Sequence, residues 1–229
     1  MQKPTVLLFD IDGTLLLSGG AGRRSFERAF VEVTGHGDAL AGCSFGGMTD
    51  RAIARMGLEK LARTVDPETV ELLIEAYLLA LAEELPRTPK FTIMPGVHDV
   101  LSKLAERPRL ALGLGTGNVK RGAEAKLRHG KLWEQFAFGG FGCDHEERSE
   151  LLRHGAERGA ALLSTPREEC RVVVVGDTIR DVAAAHKIGA ECIGVETGGV
   201  SAALLRDAGA RAVYSDLTDA SALKLLLEG

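Results

Sequence analysis

The sequence lacks the usual features of membrane, secreted and nucleic-acid-binding proteins. Its 229 residues contain no apolar run near the roughly 20 residues that a transmembrane helix needs. Met1–Pro4 leave no space for a secretory leader before the first strand pattern. The 28 basic and 32 acidic residues give a net charge of −4, which provides no general attraction to nucleic acid or anionic membranes. We therefore expect a cytoplasmic protein that binds neither.

The sequence also lacks any cysteine pair of the C-x-x-C type. Its four cysteines are far apart in the chain: Cys43, Cys143, Cys170 and Cys192. This spacing argues against a thiolate metal site or a redox pair and favours reduced, structural thiols. What remains is an ordinary globular composition, 45% hydrophobic, with enough apolar side chains for a substantial core.

The chain does contain a short apolar strand pattern that leads directly into two carboxylates. Val6–Phe9 is continuously apolar, as in strands covered on both faces, and Asp10, Asp12 and Gly13 follow. Open parallel sheets bind ligands at the carboxyl ends of their strands, where these aspartates lie. Two carboxylates this close favour a divalent cation, because like charges would otherwise raise one pKa sharply. The spacing also permits a nucleophile and a separate general acid or base.

Strand and helix patterns alternate after residue 95, which is typical of a parallel sheet with right-handed crossovers. Strands are expected at 110–114, 136–138, 172–175, 192–195 and 212–214, and helices at 119–129, 149–162, 179–188, 201–208 and 219–228. Residues 17–94 show helical patterns and no convincing strand. We predict an α/β fold: a Rossmann-like, doubly wound parallel-sheet core (1–16 and 95–229) with an inserted α-helical cap domain (17–94).

Two further strand ends carry polar side chains. Thr116–Asn118 offers a hydroxyl and backbone N–H groups to an anion at a helix start, although a simple helix cap has the same pattern. A run of four valines leads to Asp177 and then Asp181, which could complete a cation site or simply begin a helix. With Asp10 and Asp12 on a sister strand, a shared site is favoured.

These motifs together resemble the haloacid dehalogenase superfamily, particularly its phosphoglycolate phosphatase-like branch. The matching segments are Asp10–Thr14 (D-x-D-G-T), Thr116–Asn118, Gly176–Asp181 (G-D-T-x-x-D) and the helical insertion between the first two. The resemblance implies a Mg²⁺-dependent phosphatase that hydrolyses a small phosphorylated metabolite through an aspartyl-phosphate. Asp10 would be the nucleophile, and Asp12 would protonate the leaving oxygen and then activate water.

The resemblance also implies the ligands of the metal and the phosphate. Mg²⁺ would be held by the Asp10 carboxylate, the Asp12 backbone carbonyl and Asp177. Asp181, one helical turn after Asp177, could orient a ligating water or hold a neighbouring group. The phosphate would be bound by residues at two of the strand ends and by one basic residue: Gly13, Thr116, Gly117, Asn118 and Arg148. Thr116 and Arg148 are also expected to contribute to catalysis.

The basic residue departs from the pattern of the family, which most often uses lysine. No lysine occurs from Trp133 to Val175. Arg148, at the start of a predicted helix, is therefore assigned this role, and Lys126 is the alternative.

Substrate selection is expected in the insertion. Gly46–Arg51 is the stretch expected to face the site, with Thr49 and Arg51 binding substrate. Arg51, Arg23 or Arg24 could bind a second anionic group, although surface arginines on helices are usually solvated.

Two other functions stay open. A phosphomutase of the beta-phosphoglucomutase type would use the same core and return the phosphoryl group to a sugar. A non-catalytic phosphometabolite-binding module would keep the fold, but the presence of Asp10, Asp12 and Asp177 argues against it. The expected partner is a small phosphorylated metabolite, and the protein is expected to be a monomer or homodimer.

Overall fold

The computed structural model describes residues 3–228 and has a six-stranded parallel sheet at its centre. The strands within these residues are β1 (Thr5–Phe9), β2 (Leu16–Leu17), β3 (Thr92–Ile93), β4 (Leu110–Gly115), β5 (Phe138–Gly140), β6 (Arg171–Gly176), β7 (Glu191–Val195) and β8 (Ala212–Tyr214). The sheet has the order β5-β4-β1-β6-β7-β8. The chain thus winds outward from β1 in both directions, which confirms the doubly wound prediction.

The central position of β1 follows from its composition. All five of its residues are buried, and it pairs in parallel with β4 on one side and β6 on the other. Phe9 is paired with both Leu114 and Val175, so the three strands end at the same level. The residues that follow these strands therefore meet at one edge of the sheet, where the strand order reverses.

Helices cover both faces of the sheet. They are α1 (Ala21–Thr34), α2 (Asp50–Lys60), α3 (Pro67–Glu84), α4 (Val97–Ala105), α5 (Lys120–His129), α6 (Arg148–Leu162), α7 (Ile179–Lys187), α8 (Ala202–Asp207) and α9 (Ala220–Leu227). Alternate residues of β1 point to opposite faces: Leu7 and Phe9 share a core with α4, α5 and α9, whereas Val6 and Leu8 share one with α6, α7 and α8. None of the helices in residues 3–228 is both long and apolar enough to cross a membrane.

The insertion builds a hydrophobic core of its own from α1, α2 and α3. The α3 helix begins as its sequence predicts, with the Asp66 side chain accepting the N–H of Thr69 and Pro67 in the first turn. Phe26 of α1 stacks on Tyr77 of α3 with ring centroids 4.0 Å apart.

The prediction that residues 17–94 contain no strand is wrong at the two ends of the insertion. There, β2 and β3 pair as a short antiparallel ribbon, with Leu16 opposite Ile93 and Leu17 opposite Thr92. Two-residue strands are too short to show an alternating pattern, so the sequence gives no sign of them.

The strand predicted at 136–138 lies two residues later, at Phe138–Gly140. Glycine is disfavoured in strands, so the amino-acid propensities of these residues do not indicate this strand. The structure requires glycine here, because a Cβ on Gly140 would lie 1.8 Å from the carbonyl oxygen of Leu151 in α6.

Candidate active site

A cavity of about 180 Å³ lies between the carboxyl edge of the sheet and the insertion. The core contributes residues from the ends of β1 and β4 and from α5 and α6 to its lining: Asp10, Asp12, Thr116, Gly117, Asn118, Lys126 and Arg148. Residues predicted from separate motifs are thus brought together at one place. The sheet positions them, because each follows a strand end or begins or lies on an adjoining helix.

Three buried carboxylates form a cluster beside this cavity. Ligand oxygens of Asp10, Asp177 and Asp181 lie within 4.8 Å of one another. Burial raises the pKa of Asp10 to about 6, against the opposing effect of Arg148. Burial and the neighbouring charges of Asp10 and Asp181 raise the pKa of Asp177 to about 8. A cation at this cluster would relieve the repulsion.

Asp181 is already satisfied by protein donors. Its Oδ2 accepts the backbone N–H of Thr178 at 3.0 Å and the Thr178 hydroxyl at 2.6 Å, which caps α7. Its Oδ1 accepts Nε and Nη2 of Arg148 at 2.9 and 2.5 Å. Asp181 therefore holds the guanidinium in place, which leaves Asp10 and Asp177 as the carboxylates best able to bind a metal. Carboxylate oxygens are hard donors that suit Mg²⁺.

Arg148 is the first residue of α6 and is buried in the site. Its Nη2 lies 3.1 Å from Oδ1 of Asp10. Burial lowers the pKa of Arg148, but Asp10 and Asp181 outweigh this effect and raise it above the ordinary value. The residue therefore carries a permanent positive charge beside Asp10.

Asp12 faces a second cation. Lys126 Nζ lies 2.6 Å from Asp12 Oδ2 and donates to Asn118 Oδ1 at 2.7 Å. Asn118 Nδ2 in turn donates to the same Asp12 oxygen at 2.8 Å. The Asp12 carboxylate is thus bound on the side of Lys126 and Asn118 and is not part of the carboxylate cluster.

The hydrogen bonds that Thr116 forms leave its hydroxyl proton free to be donated. Its Oγ1 accepts the backbone N–H of Asn118 at 3.2 Å and Asn118 Nδ2 at 2.9 Å. Since these contacts use the oxygen as acceptor, the hydroxyl proton is available to an anion in the cavity. Gly13, which follows Asp12, has φ +89° and packs so closely on Asp177 that a Cβ would lie 2.4 Å from Oδ2.

The structure does not bring Thr49, Arg51 or Arg24 to the cavity lining. The Thr49 hydroxyl caps α2 and donates to the Glu146 carbonyl at 3.3 Å. Arg51 and Arg24 are paired with glutamates of the insertion, at 2.6 Å from Glu71 and 2.8 Å from Glu84.

Arg23 does line the cavity, but its guanidinium is engaged with the insertion itself. It donates to the carbonyls of Leu40 at 3.3 Å and Cys43 at 2.5 Å, and it lies over the ring of Phe45.

Two residues of the cavity wall were not singled out from the sequence: Asp50, which lies in the stretch Gly46–Arg51 expected to face the site, and Tyr77, which lies outside it. Asp50 donates its backbone N–H to the Gly117 carbonyl at 2.9 Å, and its Oδ2 accepts the N–H of Val119 at 2.8 Å. Burial raises the pKa of Asp50 to about 7. Tyr77 is fully buried in the same wall. In the sequence, Asp50 resembles an ordinary first-turn acid and Tyr77 an ordinary core position of a helix.

A doubly wound sheet with acids clustered at its switch point, beneath a helical insertion, defines an α/β protein with an aspartate-rich active-site cleft. The family model of haloacid dehalogenase-like hydrolases matches residues 4–189. The chain therefore belongs to this family of hydrolases. No protein with curated annotation matches the sequence significantly.

Solved structures share the fold over almost the whole chain. A hydrolase from Pseudomonas syringae is 23% identical with a TM-score of 0.74, and the match covers 98% of this chain and all of that one. A predicted phosphatase from Clostridium acetobutylicum is 20% identical with a TM-score of 0.71, covering 98% and 99%. A predicted phosphoglycolate phosphatase from Haemophilus somnus is 15% identical with a TM-score of 0.67, covering 98% of both chains.

Proposed function

We propose that the protein is a Mg²⁺-dependent phosphatase that hydrolyses a small phosphorylated metabolite through an aspartyl-phosphate on Asp10. The observation that carries this proposal is the separate environment of the two aspartates. Asp10 adjoins Arg148 and the carboxylate cluster, whereas Asp12 is held by Lys126 and Asn118. Structural relatives described as phosphatases support the same assignment.

Asp10, Asp177 and the Asp12 backbone carbonyl would hold Mg²⁺. When bound, the ion would offset the negative charge that the phosphate and the carboxylates bring together. Arg148 and the Thr116 hydroxyl would bind phosphate oxygens, together with backbone groups at Gly13, Gly117 and Asn118. These donors are fixed before the substrate arrives, which reduces the reorganisation needed in the transition state.

In the first step, an Asp10 carboxylate oxygen attacks phosphorus and the bond to the leaving oxygen breaks. Asp12 gives its proton to that oxygen, so the product leaves as a neutral alcohol. In the second step, Asp12 takes a proton from water, which attacks phosphorus and releases inorganic phosphate from Asp10. Lys126 and Asn118 hold Asp12 Oδ2 by hydrogen bonds in both steps, which orients the carboxyl group toward the leaving oxygen.

We also propose that residues 17–94 act as the cap of this site. The loop at 46–50 contacts the core on two sides: Arg148 donates to the Gly47 carbonyl at 3.4 Å, and Asp50 donates to the Gly117 carbonyl. Closure of the loop would exclude water during the transfer to Asp10, and opening would release the product.

The test is release of inorganic phosphate from a panel of phosphorylated metabolites, with Mg²⁺ and with chelator. Asp10→Asn should abolish turnover, and Asp99→Asn, an exposed acid on α4, is the matched control. Equal turnover by Asp10→Asn, or turnover indifferent to chelator, would overturn the proposal. Isomerisation of a sugar phosphate without phosphate release would instead identify a phosphomutase, and binding without turnover a binding module.

A further inference from the structure

The part of the cavity formed by the insertion contains polar side chains that the proposed mechanism does not use, among them those of Tyr77 and Asp50. Both are buried, and neither touches Asp10 or the carboxylate cluster through a hydrogen bond within residues 3–228. The leaving group of a phosphate ester bound at Asp10 would extend toward this wall. The chemistry of the wall therefore bears on which leaving group is accepted, and this inference rests on the function proposed above.

Tyr77 offers an unpaired hydroxyl. Its ring is stacked on Phe26, its side chain is fully buried, and Oη has no hydrogen-bond partner within residues 3–228. Buried hydroxyls are nearly always hydrogen-bonded, because an unpaired one has lost its water without replacement. An unpaired hydroxyl in the wall of a ligand cavity indicates that its partner is a group on the ligand.

Asp50 offers an acceptor oxygen. Its Oδ2 accepts the N–H of Val119, and within the described residues Oδ1 has no hydrogen-bond partner. The nearby cation, Lys126, is paired with Asp12 and Asn118. Burial of this carboxyl group raises its pKa, which shows that its charge is poorly compensated by the protein. A hydrogen-bond donor on the ligand would supply the missing compensation.

Of the three arginines considered for a second anion, only Arg23 lines the cavity, and it donates to backbone carbonyls of the insertion. Arg24 is paired with Glu84 outside the lining. Arg51 is paired with Glu71 through Nη2, and its buried Nε, which has no hydrogen-bond partner within residues 3–228, belongs to a residue outside the lining as well. A second anionic group on the substrate would therefore meet Asp50 without a free guanidinium to balance it.

The size of the cavity limits the leaving group further. The phosphoryl group and the leaving group must share its 180 Å³. The remaining wall includes the apolar side chains of Phe26, Phe45 and Ile53. These side chains favour a short leaving group with few polar atoms beyond the one that Tyr77 and Asp50 bind.

We propose that the leaving group is a short chain ending in a hydrogen-bond donor without negative charge, a hydroxyl or a protonated amine, bound by Tyr77 Oη and Asp50 Oδ1. Substrates with a second anionic group are disfavoured. This differs from the expectation that Arg23, Arg24 or Arg51 binds such a group.

The experiment uses four phosphate monoesters with the same two-carbon chain: ethyl, 2-hydroxyethyl, 2-aminoethyl and carboxymethyl phosphate. One additional hydrogen bond in the transition state predicts a kcat/KM about tenfold higher for the hydroxyethyl or aminoethyl ester than for the ethyl ester. The carboxymethyl ester should be the poorest of the four. A carboxymethyl ester that is turned over best, or four equal values, would overturn the inference.

Two variants test whether Tyr77 and Asp50 determine the preference among the four esters. Tyr77→Phe should reduce the advantage of the hydroxyethyl over the ethyl ester to within about threefold, since it removes one hydrogen bond and little volume. Asp50→Asn should raise the carboxymethyl relative to the aminoethyl ester by about tenfold, because it removes the charge and keeps an acceptor for Val119. Tyr214→Phe, on β8, is the matched control and should keep the wild-type ratios. Ratios that neither Tyr77→Phe nor Asp50→Asn changes would also overturn the inference.

Hydrolysis of p-nitrophenyl phosphate separates this inference from the proposed function. If that hydrolysis requires Asp10 and Mg²⁺ while the four esters are not turned over or show flat ratios, only the inference fails. If hydrolysis continues unchanged in Asp10→Asn, the proposed function fails as well.

Discussion

Each of the two aspartates after β1 has its own cation. Arg148 contacts Asp10, and Lys126 contacts Asp12, although the two cations come from different helices. Arg148 also lies between Asp10 and Asp181, so two buried carboxylates share its charge. Lys126, by contrast, serves one carboxylate with the help of Asn118. Removal of Arg148 would therefore leave two buried carboxylates without their cation, whereas removal of Lys126 would affect only Asp12.

We predict that Arg148→Ala lowers turnover far more than Lys126→Ala. Loss of Arg148 removes a hydrogen-bond donor that would bind the phosphate, and it leaves the repulsion among Asp10, Asp177 and Asp181 uncompensated. Removal of one preorganised donor typically costs about 10²- to 10³-fold in kcat. The measurement is kcat with p-nitrophenyl phosphate at saturating Mg²⁺, with circular dichroism to verify folding.

Arg153→Ala is the control, because Arg153 is an exposed residue of the same helix that pairs with Glu150. It should retain wild-type turnover. A larger loss in Lys126→Ala than in Arg148→Ala would show that Lys126 is the family's basic residue here.

The part of the site that the sequence revealed consists of residues that follow strand ends in short motifs. Asp10, Asp12 and Asp177 are recognisable because each lies within three residues of the end of a run of buried apolar residues. Asp50 lies in the stretch Gly46–Arg51 that the sequence predicts to face the site, but its residue type alone gives it no role there. Tyr77 reaches the cavity only through the packing of α3, which no local spacing encodes. Lys126 was named only as an alternative, because its approach to Asp12 depends on the direction of α5.

At the scale of elements, the loop at 46–50 and the turn after β4 are in close contact. The carbonyl of Gly117 accepts the N–H of Asp50, and a Cβ on Gly117 would lie 2.3 Å from the carbonyl oxygen of Met48. Glycine at 117 is therefore required for this approach, independently of any role in phosphate binding. The contact couples the position of the insertion to the turn after β4.

We predict that Gly117→Ala raises KM by about tenfold, because overpacking of about 1–3 kcal/mol would push the 46–50 loop away from the core. Gly122→Ala is the matched control on the adjoining helix, where the added methyl group meets nothing closer than 3.5 Å. Steady-state kinetics of both variants provide the test. Equal KM values for the two variants would show that the contact does not contribute to substrate binding.

The sheet was predictable to the extent that its strands are long and apolar. β6, with four consecutive valines, was placed almost correctly, whereas β5, which contains Gly139 and Gly140, was displaced. The β2–β3 ribbon was missed altogether. In both failures the strand is defined by a tertiary contact rather than by its own residues.

For the whole molecule, the carboxylate cluster links metal binding to stability. Asp10 and Asp177 are buried close together, and their raised pKa values show that the negative charges are unfavourable in the absence of a cation. A metal that binds only the folded state stabilises it, by about 2.7 kcal/mol at one hundred times its Kd.

We predict that Mg²⁺ raises the Tm of the wild-type protein by several degrees, given a shift of roughly 2–4 °C per kcal/mol for a protein of this size. Asp177→Asn should lose most of this shift. In chelator it should be more stable than the wild type, because the raised pKa of Asp177 means that folding must either bury its charge or take up a proton, and asparagine requires neither. Thermal unfolding in chelator and in Mg²⁺ measures both effects. Asp99→Asn is the control, and a full Mg²⁺ shift in Asp177→Asn would contradict the assignment of that residue.

The β2–β3 ribbon has a consequence for how such a protein can diversify. Because Leu16 is paired with Ile93 and Leu17 with Thr92, the chain leaves and re-enters the core at adjacent positions. Because the two ends of the insertion lie side by side, a different insertion can be attached there without moving the core strands apart. The entropic cost of closing a longer insertion grows only slowly with its length. The entire segment between these two pairs can therefore be replaced as one unit during evolution. Such a replacement would change the leaving-group preference of the enzyme while the sheet and its aspartates stay in place.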